Sequence, residues 1–77
     1  MWFVYILQCE DESFYTGMTN NLKQRFSDHR NGKGGHYTRT HTVNKFLYSE
    51  GFETKGGALK REAQIKGWRR EKKLNLI

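Results

Sequence analysis

Two short runs of aromatic and β-branched residues constrain the fold of this chain more than any other feature. The first run extends from Trp2 to Leu7 and the second from Phe14 to Met18, with the polar segment Glu10–Ser13 between them. Runs of this composition are typical of strands, and a short polar connection is typical of a β-hairpin. The sequence therefore predicts that the chain begins with two antiparallel strands.

Helix caps and breakers divide the rest of the chain. Asn20 or Asn21 can cap a first helix, Asn31 and Gly32 can end it, and Thr54 can cap a second helix. The predicted elements are a helix over Leu22–Arg30, a strand over Lys45–Glu50, a helix over Lys55–Lys66 and a short basic helix over Trp68–Leu74. The order ββαβαα predicts an α+β fold, in which a small three-stranded antiparallel sheet is flanked by helices.

The 77 residues are expected to form a single domain over 1–77. A chain of this size buries only about 60% of its extended-chain surface, so a substrate must be held largely at the surface. Six aromatic residues and one leucine are expected to supply the core, namely Trp2, Phe3, Phe14, Phe26, Phe46, Leu47 and Trp68.

Cys9 is the single cysteine, which excludes an internal disulfide and fits a reducing compartment. We expect its side chain to be a small buried hydrophobe. No stretch of the sequence approaches the roughly 20 apolar residues that a membrane span needs, and the apolar start is too short for a signal peptide. The expected location is the cytoplasm, without a membrane partner.

The net charge of +6 is concentrated in the second half of the chain. Residues 1–38 hold four basic and four acidic residues, whereas residues 39–77 hold ten Lys/Arg and four Glu. Such an excess favours DNA, or RNA, as a partner, because each phosphate contact releases condensed counterions. A solvated basic face is the alternative. Candidates for nucleic-acid contacts near the C-terminus are Lys66, Arg69 and Arg70.

The segment Gly32–Val43 is the longest predicted loop, and it is positively charged. Basic loops often hold a ligand, although a plain surface connection is equally compatible with this composition. If the loop contacts nucleic acid, the candidate residues are Lys33, His36, Tyr37 and Arg39.

Two tyrosines lie on the predicted hairpin. Tyr5 and Tyr15 are both odd-numbered, so a hairpin whose paired residue numbers sum to an even value places them on the same face. Two neighbouring phenols can be ordinary cross-strand packing. Tyrosine is a poor base while its pKa is unperturbed, near 10. Nearby cations such as Arg25 would lower that pKa.

The first predicted helix carries an arginine and a histidine on one face. Arg25 and His29 are separated by four residues, and Leu22 and Phe26 supply the apolar side. Arg25 is thus expected at the edge of the core, where its guanidinium can present two N–H groups to a phosphate. An exposed arginine beside Asp28 is the alternative.

A carboxylate interrupts the apolar stripe of the second predicted helix. Glu62 falls among residues at helical spacing that are expected to face the core, namely Ala58, Leu59, Ala63 and Ile65. A carboxylate in apolar surroundings costs several kcal/mol unless a cation or hydrogen bonds compensate it. Glu62 is therefore a metal ligand, a partner of Arg25, Arg61 or a nearby lysine, or exposed by rotation of the helix.

Taken together, these residues resemble the GIY-YIG nucleases, whose two signature tripeptides lie on adjacent strands. Phe3-Val4-Tyr5 stands at the first tripeptide and Tyr15-Thr16-Gly17 at the second. The remaining family positions fall on Arg25, His29 and Glu62, and three further segments resemble the small stand-alone bacterial members, the YhbQ-like group. Those segments are 15–19, 32–38 and 58–62.

The resemblance implies a domain that cleaves a DNA phosphodiester bond, in repair or recombination, with one divalent metal ion. By this resemblance Glu62 would bind Mg²⁺ or Mn²⁺, which would stabilise the departing 3′ oxygen. Arg25 would hold the scissile phosphate, and Tyr5 or Tyr15 would take the proton of the attacking water. His29 could assist, because an ordinary imidazole pKa near 6.5 suits proton transfer.

Two departures from the family pattern are visible. Phe3 replaces the first signature glycine and Thr16 replaces an isoleucine, and we expect changes of packing rather than loss of chemistry. The chain also has only the nuclease module, so targeting would come from its basic half or from a partner protein. A non-catalytic nucleic-acid-binding module, or an adaptor of the same fold, is the alternative function.

Overall fold

The computed structural model of the protein describes residues 1–31 and 43–77. Its elements are β1 (Trp2–Cys9), β2 (Phe14–Thr19), α1 (Leu22–Arg30), β3 (Val43–Phe52), α2 (Lys55–Lys66) and α3 (Arg70–Leu76). The predicted α+β order ββαβαα is confirmed for this part of the chain. Two elements differ from the prediction in their bounds, because β3 is longer at both ends and the last helix spans Arg70–Leu76 rather than Trp68–Leu74.

The three strands form one antiparallel sheet in the order β2-β1-β3. In the hairpin, Tyr5 is opposite Gly17 and Leu7 is opposite Tyr15, so the paired numbers sum to an even value, as the same-face prediction requires. The central strand β1 has a neighbour on each side, and its residues from Val4 to Leu7 are all buried. Side chains of β1 therefore contribute to the packing on both faces of the sheet.

A tight turn joins β1 to β2. Glu12 has a φ of 70°, in the left-handed region that non-glycine residues seldom adopt. Its N–H donates to the Cys9 carbonyl oxygen at 2.9 Å, and Asp11 Oδ1 accepts from the N–H and hydroxyl of Ser13 at 3.0 and 2.6 Å. These local hydrogen bonds hold the unusual backbone conformation in place.

Side-chain caps start both longer helices. Asn21 Oδ1 accepts from the N–H of Gln24 at 3.1 Å, which identifies Asn21 rather than Asn20 as the cap of α1. Thr54 Oγ1 accepts from the N–H of Gly57 at 3.1 Å, so the predicted cap of α2 is confirmed. Each cap satisfies a backbone donor that the first helical turn leaves unpaired.

The centre of the core is aliphatic rather than aromatic. Val4 and Ile6, on one face of β1, pack against Ala58 and Ile65 of α2, and all four are fully buried. The prediction of an aromatic core was wrong in this respect, because the enclosed middle of β1 carries short branched side chains. Larger side chains pack around that centre and are only partly buried, namely Trp2, Phe14, Met18, Leu47, Tyr48, Phe52, Trp68 and Leu76.

Two residues expected in the apolar stripe of α2 face outward instead. Leu59 is 53% exposed, and Ala63 is exposed as well. The inward face of α2 follows Ala58, Glu62 and Ile65, which lie one helical turn apart, and this places Leu59 and Ala63 beside the stripe rather than within it. Glu62 is therefore turned toward the sheet.

The other face of β1 packs against α1. Tyr5 stacks on Phe46 of β3 with ring centroids 5.9 Å apart, and Phe46 meets Phe26 of α1 edge-on at 5.4 Å. Phe26 and Phe46 thus belong to this second layer, and Phe3 is half-buried. Cys9 is 1% exposed, as predicted, and burial raises the pKa of its thiol. None of the described helices combines the length and apolar character needed to cross a membrane.

Candidate active site

A glycine makes room for the tyrosine at the centre of the site. A Cβ atom at Gly17 would lie 2.5 Å from Tyr5 Oη, 2.7 Å from Tyr5 Cζ and 3.0 Å from Tyr15 Cε1. Because any side chain at this position would overlap the phenol, only glycine lets the Tyr5 ring lie across β2. This packing explains the glycine of Tyr15-Thr16-Gly17, a reason that the sequence did not reveal.

The hydroxyl of Tyr5 joins the two polar residues of α1. Tyr5 Oη lies 2.7 Å from His29 Nε2, and Arg25 Nε donates to Tyr5 Oη at 3.4 Å. Tyr5 and His29 are each 1% exposed, and Arg25 is half-buried at the edge of the core. Arg25 and His29 thus lie on one face of α1, as their four-residue spacing predicted, and both contact the same phenol.

Tyr15 completes this group from the edge strand. Its ring centroid lies 6.4 Å from that of Tyr5 and 5.0 Å from that of His29, which it meets edge-on. The two tyrosines share one face of the hairpin, so that prediction is confirmed. Tyr15 is half-buried, and it lies between the buried pair and the surface.

Burial moves the protonation equilibria of this pair away from the values expected from sequence. It raises the pKa of Tyr5 to about 12, although the hydrogen bond from Arg25 acts in the opposite direction. It also lowers the pKa of His29 to about 4, with the positive charge of Arg25 as the second cause. Arg25 acts on the Tyr5 pKa in the expected direction, but desolvation outweighs it and the pKa is raised. At His29 desolvation and the charge of Arg25 act together, so the expectation of an imidazole pKa near 6.5 was wrong.

At neutral pH Tyr5 is protonated and His29 is uncharged. In the imidazole tautomer that carries its proton on Nδ1, the phenol donates to Nε2. The phenol oxygen also accepts from Arg25 Nε. The arrangement therefore connects a phenol, an uncharged imidazole and a guanidinium through one oxygen atom.

Glu62 approaches the group from α2. Its side chain is 16% exposed, and its Oε1 lies 3.5 Å from Nζ of Lys66, which is 52% exposed. The Glu62 carboxylate is also one of the charges that raise the Tyr5 pKa, so it acts on the phenol electrostatically. Of the alternatives open from sequence, a lysine partner is thus observed, and the carboxylate is still within electrostatic reach of Tyr5.

Glu62 offers a single carboxylate, and this bears on which kind of metal ion it could hold. Within residues 1–31 and 43–77, no group of three His, Cys, Asp or Glu side chains is arranged to hold a metal, so this region offers no closed zinc-type site. Mg²⁺ and Mn²⁺ differ, because Mg²⁺ commonly takes one or two carboxylates and completes its shell with water and substrate phosphate. A single Glu62 carboxylate fits that pattern.

The basic residues proposed from sequence divide into three groups. Lys66 pairs with Glu62, and Arg70 stacks on Phe14 with its guanidinium carbon 4.4 Å from the ring centroid. Arg69 is exposed at the start of α3. Lys33, His36, Tyr37 and Arg39 lie outside the described residues. Sequence reasoning missed Lys73, whose spacing of three residues from Arg70 could have placed it on the same helical face.

Comparisons with known proteins show the family of the chain. A sequence model described as the GIY-YIG catalytic domain matches residues 1–75. UPF0213 proteins of Clostridium perfringens and Haloquadratum walsbyi are 52% and 45% identical to the chain over 77 and 74 residues, which are 100% and 96% of the chain and 83% of each relative.

A solved structure extends the agreement to three dimensions. The solution NMR structure of a UPF0213 protein from Bacillus halodurans superposes with a TM-score of 0.62 at 38% identity, over 99% of this chain and 82% of that one. Sequence, fold and the convergence of the signature residues lead to one assignment, and the chain belongs to the GIY-YIG catalytic-domain family, a family of nucleases.

Proposed function

We propose that the chain is a divalent-metal-dependent endonuclease that hydrolyses phosphodiester bonds of DNA, in repair or recombination. The observation that carries the proposal is the cluster at the Tyr5 hydroxyl, 2.7 Å from His29 Nε2 and 3.4 Å from Arg25 Nε. A proton acceptor and a phosphate-binding cation thus meet at one buried phenol. Tyr15 borders the same cluster, and Glu62 acts on it electrostatically.

The proton of the attacking water can pass along the central hydrogen bond. Tyr5, with a pKa of about 12, is protonated at neutral pH, whereas His29, with a pKa of about 4, is uncharged and able to accept a proton. The proposed route therefore passes through Tyr5 to His29. Water gives its proton to the Tyr5 oxygen while Tyr5 gives its own proton to His29 Nε2, so the phenol stays neutral.

Arg25 stabilises the charge that develops on the phosphate. Its Nε is held by Tyr5, which directs the rest of the guanidinium beside the point at which the water loses its proton. Planar guanidinium groups bind phosphate through two parallel N–H donors, and such charge-assisted bonds strengthen as the negative charge grows. Arg25 therefore positions the scissile phosphate next to the proton relay.

Glu62 is the residue that would hold Mg²⁺ or Mn²⁺. When bound, the ion supplies Lewis-acid stabilisation of the departing 3′ oxygen. The Lys66–Glu62 pair does not exclude this role, because an ion pair with a half-exposed lysine contributes only about 0–1 kcal/mol. Lys66 can leave Glu62 at little cost and carry its charge to the incoming nucleic acid.

The test is cleavage of branched, nicked and plain DNA in the presence of Mn²⁺. His29→Gln is expected to lower the cleavage rate at least about 100-fold, the smallest effect typical of general acid–base groups. Arg25→Ala is expected to lower it about 100-fold or more, as for loss of a charge-stabilising donor, and Glu62→Gln should lower it as well because the ligand for the metal ion is lost. Glu53→Gln is the matched control for Glu62→Gln, because Glu53 is exposed and precedes the same helix. Cleavage that persists in the Glu62→Gln variant, or its absence on all three substrates, contradicts the proposal.

One observation favours a second candidate function, a nucleic-acid-binding module or adaptor without catalysis. Glu62 already has a cationic partner in Lys66, as a purely structural carboxylate would. This candidate predicts DNA affinity that falls with salt and is unchanged by Glu62→Gln. An adaptor would bind neither DNA nor RNA at any salt concentration.

A further inference from the structure

A pocket that contains two cations is lined by residues other than those of the cluster at Tyr5. It has a volume of about 250 Å³ and is lined by Ser13, Phe14, Arg70 and Lys73. Ser13 and Phe14 come from the end of the β1–β2 turn and the start of β2, and the two cations come from α3. The pocket is therefore formed where the hairpin meets the last helix.

The cation at this pocket is held in one position. The Arg70 guanidinium lies over the Phe14 ring at 4.4 Å, and its Nη1 donates to the Glu12 carbonyl oxygen. That carbonyl belongs to the left-handed residue of the turn, which the hydrogen bonds of Asp11 and Ser13 support. A guanidinium held on both sides loses little further freedom when it binds an anion.

Among the described residues, no carboxylate forms an ion pair with either cation of the pocket. Arg70 and Lys73 lie three residues apart on one face of α3, and neither forms an ion pair within residues 1–31 and 43–77. No carboxylate from this part of the chain lines the pocket. Asp11, in the turn that precedes Ser13, directs its Oδ1 to the N–H and hydroxyl of Ser13. The pocket is thus suited to an anion.

Lys66 lies near both the pocket and Glu62. Burial and the nearby positive charge of Lys66 lower the pKa of Lys73. Lys66 in turn lies 3.5 Å from Glu62. Arg70, Lys73 and Lys66 therefore form a row of cations that leads from the hairpin turn to the carboxylate of the candidate active site.

We propose that the pocket of Ser13, Phe14, Arg70 and Lys73 binds a backbone phosphate of the nucleic-acid strand, on one side of the bond to be cleaved. The inference rests on the proposed function and adds a substrate-binding site to it. An extended strand carries phosphates at regular intervals, so a row of cations that starts at Glu62 can follow one strand outward. The Arg70 fork and the Lys73 ammonium would share one phosphate.

The first test compares binding to a DNA oligonucleotide without a divalent ion, so that cleavage does not enter. R70Q/K73Q is expected to bind about tenfold more weakly than wild type and to reduce the slope of log K against log salt by about 0.7–0.9, which corresponds to one lost phosphate contact. The control is K45Q/K60Q, which has the same net charge and changes two exposed lysines. Equal losses in the two double variants would overturn the proposal.

The second test locates the phosphate. Single methylphosphonate linkages, which lack the negative charge, are placed in turn along the oligonucleotide. At one position the neutral linkage should weaken binding by wild type but not by R70Q/K73Q. If no position shows this loss of coupling, the pocket does not bind the strand and the proposal fails.

Two variants separate this inference from protein stability and from the proposed function. Arg70 also supports the turn, so K73Q alone, with a free energy of unfolding near that of wild type, provides the test if R70Q/K73Q is unfolded. With Mn²⁺, K73Q is expected to raise KM severalfold and leave kcat unchanged, whereas E62Q lowers kcat. If only the pocket inference is wrong, E62Q is inactive and K73Q cleaves like wild type. If the proposed function is wrong, wild type does not cleave DNA, and the two binding tests alone decide whether the pocket binds a phosphate of the strand.

Discussion

Tyr5 is the residue on which the other side chains of the site depend. Its ring occupies the space that Gly17 leaves open, and its hydroxyl contacts both Arg25 and His29. The same burial that raises its pKa lowers that of His29, so the pair is held in its uncharged form at neutral pH. Stability and chemistry are therefore linked at this one phenol, and substitutions around it can test both.

The buried imidazole predicts a dependence of stability on pH. The unfolded chain protonates His29 below a pH of about 6.5, whereas the folded protein does so only below about 4. This group therefore stabilises the fold fully above pH 6.5, and about 3 kcal/mol is lost as the pH falls to 4. Urea unfolding of wild type and His29→Gln at pH 7 and pH 4.5 measures the difference. Equal pH dependence in the two proteins would show that His29 is not the group responsible.

The close approach at Gly17 predicts that even one methyl group is harmful. Gly17→Ala places a Cβ atom 2.5 Å from Tyr5 Oη and is expected to cost about 1–3 kcal/mol of folding free energy as overpacking. It should also move Tyr5 from Arg25 and His29, and so lower the cleavage rate. Gly56→Ala is the matched control, since a Cβ there meets no atom within 4 Å and a helical alanine is favourable. Urea denaturation of both variants checks the contrast, and equal stability would contradict it.

At the scale of elements, the candidate site is assembled from two layers that share one sheet. Alternate residues of β1 face opposite sides, so Tyr5 meets α1 while Val4 and Ile6 meet α2. α1 contributes Arg25 and His29, and α2 contributes Glu62. The orientation of each helix therefore determines whether the reactive groups meet.

The cap of α1 predicts a measurable contribution to that orientation. Asn21→Ala removes the hydrogen bond to the Gln24 N–H and is expected to lower the free energy of unfolding by about 1 kcal/mol. Asn20→Ala is the neighbouring control, because Asn20 does not cap the helix. Thermal or urea unfolding compares the two. A larger loss in Asn20→Ala would mean that the wrong residue has been identified as the cap.

Much of this arrangement follows from local pattern. Helical spacing correctly placed Arg25 and His29 on one face, and strand alternation placed the two tyrosines together. Periodicity was less informative for α2, because glycines, charges and apolar residues are mixed there and Leu59 proved to be exposed. The reversed pKa expectations have a different cause, since desolvation depends on contacts between elements that no local pattern specifies.

For the whole molecule, the distribution of charge matters more than its total. The pocket of Ser13, Phe14, Arg70 and Lys73 and the Lys66–Glu62 pair show basic side chains of the C-terminal half gathered on the side of the sheet that carries α2 and α3. Among the described cations some are already committed, such as Arg61, whose Nε lies 3.0 Å from Glu50 Oε1. Only part of the net +6 is therefore available to a polyanion.

This distribution predicts a moderate salt dependence of DNA binding. If about four phosphates are contacted, the affinity for a duplex should fall about 100-fold between 50 and 200 mM salt. Fluorescence anisotropy with labelled DNA, in the absence of divalent ions, measures the slope. Binding that does not respond to salt would contradict an electrostatic interface, and a slope near that of six or more contacts would mean that residues beyond those described take part.

The two-layer origin of the site has a consequence for the nascent chain. Glu62 lies far along the polypeptide, and it can reach Tyr5 only after α2 has docked on the sheet. A partly synthesised molecule would thus lack the assembled set of Tyr5, Arg25, His29 and Glu62, and any activity that needs all four would begin only once folding is complete.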